Sequence, residues 1–515
     1  MMMVETGHGP ASGRAGGRGQ ADAPGRQAQR TGEASPAVSD PWRVLPPIML
    51  AMALAMADQT MIASSLPLVV SSLGDAERVG WVLIGFMMTS MISAPVYGGL
   101  GDVFRRKRMM IVALTVFACG AVLSALSVNL DMLILARILQ GIGGGGLMTS
   151  AQALLGETVP VQERARYQGY LGGITVSCAS LGPVLGGVIG DLLGWRAIFL
   201  ASLPVAAVTV VLVMRLPDSR RSGAATAISD WRFDGWGLAW FAGFSVALLV
   251  ALEQVKRAES TALAGLAVCA VAASLCLIGL IRRERRASHP LLPLDLLSEA
   301  PLRYSNMLVL LHGCVMLGLI SFMPLYLRVE HGLSATRSGV MLLLLTGGLA
   351  VGALVGGKMV SHTRRTTIFP AAGLSATTVI LTVLVFAMEW VTIPQLGLAM
   401  CLIGMMMGST MGVAQLLVQI ASGPRAIGVT AGFLLFSRSL GSALGVALAL
   451  MILFVAMKSL DPGAMALFEA RLDGSFAAGP ADAALLKSFQ LAIGMLAMIS
   501  FFGAVVAWRH PMRRF

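Results

Sequence analysis

Met56-Ala57-Asp58-Gln59-Thr60 sets a carboxylate in the middle of an apolar run covering residues 44–73. About 20 apolar residues are enough to cross the hydrocarbon core of a bilayer as a helix. In lipid the backbone has no water to bond, and a helix satisfies every group within one segment. An aspartate at the bilayer centre costs on the order of 3 kcal/mol on insertion scales, so such residues turn toward a bundle interior or a wet cavity. Asp58 is therefore a candidate functional carboxylate inside a membrane-spanning helix.

The rest of the chain has the same character. Of its 515 residues 56% are hydrophobic and 12% charged, about half the charge of a soluble domain. Apolar runs long enough to span recur at 44–72, 81–100, 109–129, 132–155, 168–190, 197–214, 235–254, 261–281, 304–327, 336–357, 367–388, 395–420, 428–456 and 486–508, which makes fourteen expected helices. The expected fold is an all-α integral membrane bundle: a basic cytoplasmic tail (1–43), a six-helix half (44–215), an inserted pair (235–281) and a second six-helix half (304–508). The tail, rich in Gly, Ala, Arg and Gln, is expected to be disordered.

Charge follows topology. With the N-terminus inside, cytoplasmic segments carry Arg105, Arg106, Lys107, Arg108, Arg220, Arg221, Arg232, Arg282, Arg283, Arg364, Arg365 and Arg425, among others. Opposite loops carry few, such as Arg78, Lys256, Arg257, Arg337 and Lys458. This is the positive-inside bias, and an even span count returns the C-terminus to the cytoplasm of an inner-membrane protein. The net charge of +12 thus argues for topology and against nucleic acid, which needs basic residues gathered on one face with interleaved aromatics. The six cysteines lie in apolar runs without a CxxC pair and read as packing residues.

Several motifs carry chemistry. Gly98 and Asp102 end the second span, with Arg106 and Lys107 a turn beyond. A carboxylate beside basic residues at a helix junction either clamps one closed state or belongs to an ordinary basic stop-transfer cluster. Arg137 lies about a turn into the fourth span, before Gln140, Gly141 and the glycines 143–146. Its guanidinium keeps its charge; it either snorkels to the surface or is buried to bias a carboxylate. In the fifth span Gly182, Pro183, Gly186, Gly187 and Gly190 combine a proline that removes a backbone bond with small residues that let helices approach. A weak internal repeat links Gly98-Gly99 before Arg105-Arg106 to Gly356-Gly357 before Arg364-Arg365, as in transporters built from two related halves.

Taken together these residues resemble the major facilitator superfamily, and fourteen spans look like its drug/proton antiporter branch. The resemblance rests on Asp58, Thr60 and Pro67; on Gly98, Asp102, Arg106 and Lys107; on Arg137, Gln140, Gly141 and Gly143; on Gly182, Pro183, Gly186 and Gly187 followed by Trp195-Arg196; and on Phe233-Asp234-Gly235, His289-Pro290-Leu291 and Arg438-Ser439-Leu440-Gly441. It covers about 45–509 and departs at Val103 and Arg105 in the loop motif, at Ser202 and at Arg328. It implies proton-coupled export by alternating access.

Desolvation disfavours a buried carboxylate anion, so Asp58 is expected to take up a proton, with Arg137 biasing it, and to exchange that proton for a cationic cargo. Gln59, Gln152, Gln415, Gln419, Met407 and Arg438 are expected around the cargo, since methionine suits promiscuous apolar surfaces. The expected partners are small hydrophobic or cationic substrates, protons and the lipid bilayer, with a periplasmic adaptor as a further candidate. The alternative is a proton-linked exporter of one metabolite, such as a natural product, siderophore or amino acid derivative. No cofactor or metal is expected, and no enzyme: the sequence has neither a Gly-x-x-x-x-Gly-Lys-Ser/Thr loop nor a cluster of His, Cys and acids at one depth.

Overall fold

The computed structural model describes residues 41–75, 78–216, 233–255, 260–287, 290–292, 294–333, 335–423, 426–472 and 481–512. The expected tail up to residue 40, Arg220, Arg221, Arg232, Lys256, Arg257, His289 and Arg425 lie outside the described residues. The helices run in the order α1 (Pro41–Leu73), α2 (Trp81–Val103), α3 (Arg106–Ala125), α4 (Leu130–Thr158), α5 (Val161–Leu193), α6 (Trp195–Met214), α7 (Gly235–Val255), α8 (Ser260–Glu284), α9 (Leu294–Ser298), α10 (Ala300–His331), α11 (Ala335–Thr363), α12 (Ile368–Ala387), α13 (Ile393–Ala421), α14 (Ile427–Leu460), α15 (Gly463–Leu472) and α16 (Asp482–Trp508).

Among the described residues thirteen helices are long and apolar enough to cross a membrane, and α7 adds a shorter apolar stretch, Gly235–Ala251. The two short helices are the additions to the expected pattern. Residues 458–487 read as a hydrophilic connection, yet α15 lies within them and packs Ala464 and Phe468 into the core of the second half. Phe468 meets Phe454 edge-on at 6.0 Å between ring centroids. Arg471 closes this corner by pairing with Glu330 of α10 at 3.3 Å and with Asp482 of α16.

Helices approach closely where glycine removes the side chain. A Cβ on Gly98 of α2 would collide with the carbonyl oxygen of Gly428 of α14, and one on Gly432 would come within 2.5 Å of Ala94 O. On the other flank a Cβ on Gly169 of α5 would lie 2.8 Å from Ala353 O of α11, and one on Gly357 would lie 2.6 Å from Ala165 O. The first half therefore meets the second along two seams, α2 with α14 and α5 with α11, with space left between them.

The inserted pair is fixed by Asp234 and Arg283, both legible in the sequence, and by Glu284, which is not. Asp234 accepts from the Gly237 backbone N–H at 3.0 Å, capping α7, and from Arg283 Nε of α8 at 2.9 Å. Glu284 accepts from Leu292 N at 3.1 Å. Phe241 and Leu280 then pack with Met91 of α2 and Phe436 of α14, which seats the pair against one seam.

Candidate functional site

Successive residues of a helix are separated by about 100°, and α1 uses this to serve two sites. Asp58, 2% exposed, turns into the first half. Its Oδ2 accepts from Arg137 Nη1 at 2.5 Å and its Oδ1 from Gln140 Nε2 at 2.9 Å. Arg137 Nη1 also donates to Gln140 Oε1 at 2.8 Å, and Nε donates to Val82 O at 3.3 Å. The guanidinium is fully buried and sits 4.3 Å from the Phe86 ring centroid and 5.6 Å from that of Phe199. Of the two sequence expectations for Arg137, the buried one describes its position. In the sequence Gln140 is only one member of a motif; in the structure it bridges acid and base.

Gln59 and Thr60, the next two residues of the same helix, face a central cavity of about 320 Å³. Both halves contribute to its wall, with Gln152, Gln168, His312, Gln415 and Arg438 among the polar lining. The apolar wall is rich in methionine: Met52, Met56, Met87, Met91, Met148, Met316 and Met411. Gln168 Nε2 donates to Gln152 Oε1 at 2.9 Å. Of the expected cavity residues Gln59, Gln152, Gln415 and Arg438 line it. Met407 does not: it is fully buried in the second-half core. Gln419 also lies off the wall and donates through Nε2 to Gln152 O at 3.2 Å, joining the halves at one end of the cavity. Asp58 is not a lining residue either; the cavity sees its neighbours.

The loop motif builds a second charged cluster. Asp102 accepts from the backbone N–H groups of Gly428 at 3.0 Å and Val429 at 2.8 Å. These are the unpaired donors at the start of α14, where a carboxylate is favoured by the helix dipole. Arg106 Nη2 donates to Asp102 at 2.5 Å and Arg106 Nε lies 2.8 Å from Glu157 of α4. Asp102 and Arg106 thus act together across the seam, whereas Lys107 caps α6 by donating to Met214 O at 2.9 Å and Leu216 O at 2.7 Å. Glu157 was missed as a member; its place at the end of the fourth span was its only signal.

Of the motif glycines of α5, Gly182 and Gly186 face α1. A Cβ on Gly182 would collide with Thr60 Oγ1 and one on Gly186 with Met61 O, while one on Gly187 would meet nothing within 4 Å. Pro183 lies inside the continuous helix α5. Thr60 Oγ1 donates to Cys178 O at 3.1 Å, so the cavity-lining turn of α1 is fastened to α5.

The model of the Major Facilitator Superfamily matches residues 48–446. The chain is 30% identical to the uncharacterized MFS-type transporter Rv1877 of Mycobacterium tuberculosis over 78% of its own length and 58% of the relative's. It is 27% identical to the multidrug transporter protein MdtP of Bacillus subtilis, over 78% of this chain and 73% of that one. It is 30% identical to the tetracenomycin C resistance and export protein of Streptomyces glaucescens, over 62% of this chain and 56% of that one. Among solved structures it superposes on the proton:xylose symporter XylE with a TM-score of 0.61 at 13% identity, covering 91% of this chain and 96% of that one.

Proposed function

The chain belongs to the major facilitator superfamily, and on that premise we propose that it exports lipophilic small molecules across the inner membrane in exchange for protons. It works by alternating access, as a transporter and not as an enzyme. The observation that carries this reading is the Asp58, Arg137 and Gln140 cluster set directly behind the wall formed by Gln59 and Thr60.

A proton on Asp58 removes the charged partner of a guanidinium that cannot discharge and leaves it only the neutral acceptors of Gln140 and Val82. Breaking a buried pair from one side costs on the order of 3–5 kcal/mol. The proton therefore disfavours the present packing of α1 on α4 and favours any arrangement that offers Arg137 a new acceptor, which is the differential energy a two-state transporter needs. Because α1 also lines the cavity, the same shift alters cargo contacts. Asp102 holds the other control point: its bonds to the start of α14 must break for the halves to part at that seam.

Relatives named for multidrug transport and for tetracenomycin C resistance and export support an exporter. The methionine-rich wall supports a lipophilic cargo. None of the described lining residues is a carboxylate, so the wall lends no support to the cationic part of the sequence expectation. Export of one specific metabolite is the second reading, favoured by the fixed Gln152–Gln168 hydrogen bond on a wall otherwise suited to varied cargo.

The test is proton counterflow in proteoliposomes loaded with an internal pH dye, challenged with a panel of lipophilic acids, bases and neutral compounds. At least one compound should drive proton movement with the wild type and none with Asp58→Asn. Cargo flux that ignores an imposed pH gradient in the wild type would sink the antiport reading.

A further inference from the structure

Among the described lining residues the cavity wall carries one permanent charge, and it is positive. Arg438 of α14 lines the cavity, and its side chain makes no ion pair, hydrogen bond or ring contact among the described residues. On the neighbouring helix α10, His312 lines the same wall, is 5% exposed, and leaves a buried Nδ1 without a partner. The two helices cross where a Cβ on Gly313 would lie 2.6 Å from Arg438 O, which brings both side chains to one patch. Ser439 and Ser442 add hydroxyls to it.

The acids of the two charged clusters are engaged elsewhere. Asp58 is held by Arg137 and Gln140, and Asp102 and Glu157 by Arg106. None of the described lining residues is acidic. An unpaired charge in a largely apolar site is strongly unfavourable, and a counter-ion relieves it. A guanidinium presents a planar fork that matches a carboxylate or sulfonate with two parallel hydrogen bonds.

We propose that the cavity takes amphiphilic organic acids, with the anionic group on Arg438 and His312 and the apolar body on the methionine wall. The direction and energy source of transport rest on the antiport reading above, but the binding site does not depend on it. A cationic cargo meets like charge here and binds more weakly than an anion of the same shape.

The experiment is equilibrium binding to the purified full chain of two radiolabelled probes with one ring system and opposite charge, 1-naphthaleneacetate and 1-naphthylmethylammonium. The acetate should bind saturably and at least tenfold more tightly. Arg438→Gln should weaken the acetate at least tenfold and leave the ammonium unchanged or improved, while Arg438→Lys, which keeps the charge, retains part of the preference. A thermal unfolding midpoint checks folding. If Arg438→Gln does not fold, His312→Gln carries the test with an expected several-fold loss of acetate binding alone. Equal or tighter ammonium binding, no saturable binding of either probe, or acetate binding untouched by the folded variants overturns the proposal. Flux assays on the same preparation separate the two readings. Acetate bound through Arg438 but not moved by a pH gradient refutes antiport and leaves the anion site standing. Gradient-driven ammonium flux without acetate binding does the reverse.

Discussion

Asp58 and Gln59 are adjacent in the chain and face different environments, one an arginine and the other a cavity. Their separation is what makes Asp58 testable as a buried partner. Either Asp58→Asn or Arg137→Gln leaves an uncompensated group in a dry site, and each should destabilise the protein by about 3–5 kcal/mol. Removing both charges together should cost less than the sum of the two, which a double-mutant cycle of unfolding midpoints in detergent will read directly. That a carboxylate sat at depth was legible from residue 58 alone, and a buried role for Arg137 was one of two open readings. The bridging Gln140 was not, because only the crossing of α1 over α4 brings it to Asp58. His510, just past the end of α16, is a second residue with a consequence. It is 1% exposed, its ring faces Ser305 Oγ at 3.1 Å, and burial pushes its imidazole down to about 4 from an ordinary value near 6.5. Because the folded state holds this ring neutral, its contribution is complete above the unfolded value and is lost as pH falls from about 6.5 toward 4. The loss should be roughly 2–3 kcal/mol, and His510→Asn should flatten the pH dependence of the unfolding midpoint over that window.

At the scale of elements, α13 shows what periodicity does and does not reveal. Met407, Met411, Gln415 and Gln419 are spaced by four and share one face of the helix. Met411 and Gln415 line the cavity, while Met407 and Gln419, one turn beyond at each end, are buried in packing. The sequence carries the face; the depth at which the cavity begins and ends depends on partners in other helices. The long helices were legible because lipid demands about 20 apolar residues for each. The short α15 was not, since ten residues containing Glu469 and Arg471 are no spanning signal. The α5 glycines sharpen the same point. Gly186 and Gly187 are neighbours in one motif, yet only Gly186 abuts α1. Gly186→Ala should force α1 from α5 and lower the unfolding midpoint by several degrees with loss of transport. Gly187→Ala should fold and transport as the wild type does, and equal damage from both substitutions would contradict the packing described.

For the whole molecule, the decisive contact joins the halves through a carboxylate on one helix and two backbone donors on another. Asp102 satisfies the amides of Gly428 and Val429, and Gly98 permits the approach because a side chain there would collide with Gly428 O. Two-state transport needs this seam to be strong enough to close and weak enough to open. A charge-assisted bond to a helix start, worth about 1–2 kcal/mol in partly buried geometry, suits that requirement better than a broad apolar interface would. Arg106 holds Asp102 from the first half and is itself held by Glu157, so the carboxylate is oriented by residues on its own side of the seam. Asp102→Asn keeps the shape of the side chain but removes its charge. The closed seam should lose about 1 kcal/mol, which shifts a two-state population several-fold. Hydrogen exchange at the Gly428 and Val429 amides should then accelerate by a similar factor, while amides in the middle of α4, far from the seam, keep their wild-type rates. Acceleration spread evenly over the whole bundle would mean that Asp102 supports general stability and does not govern the meeting of the halves.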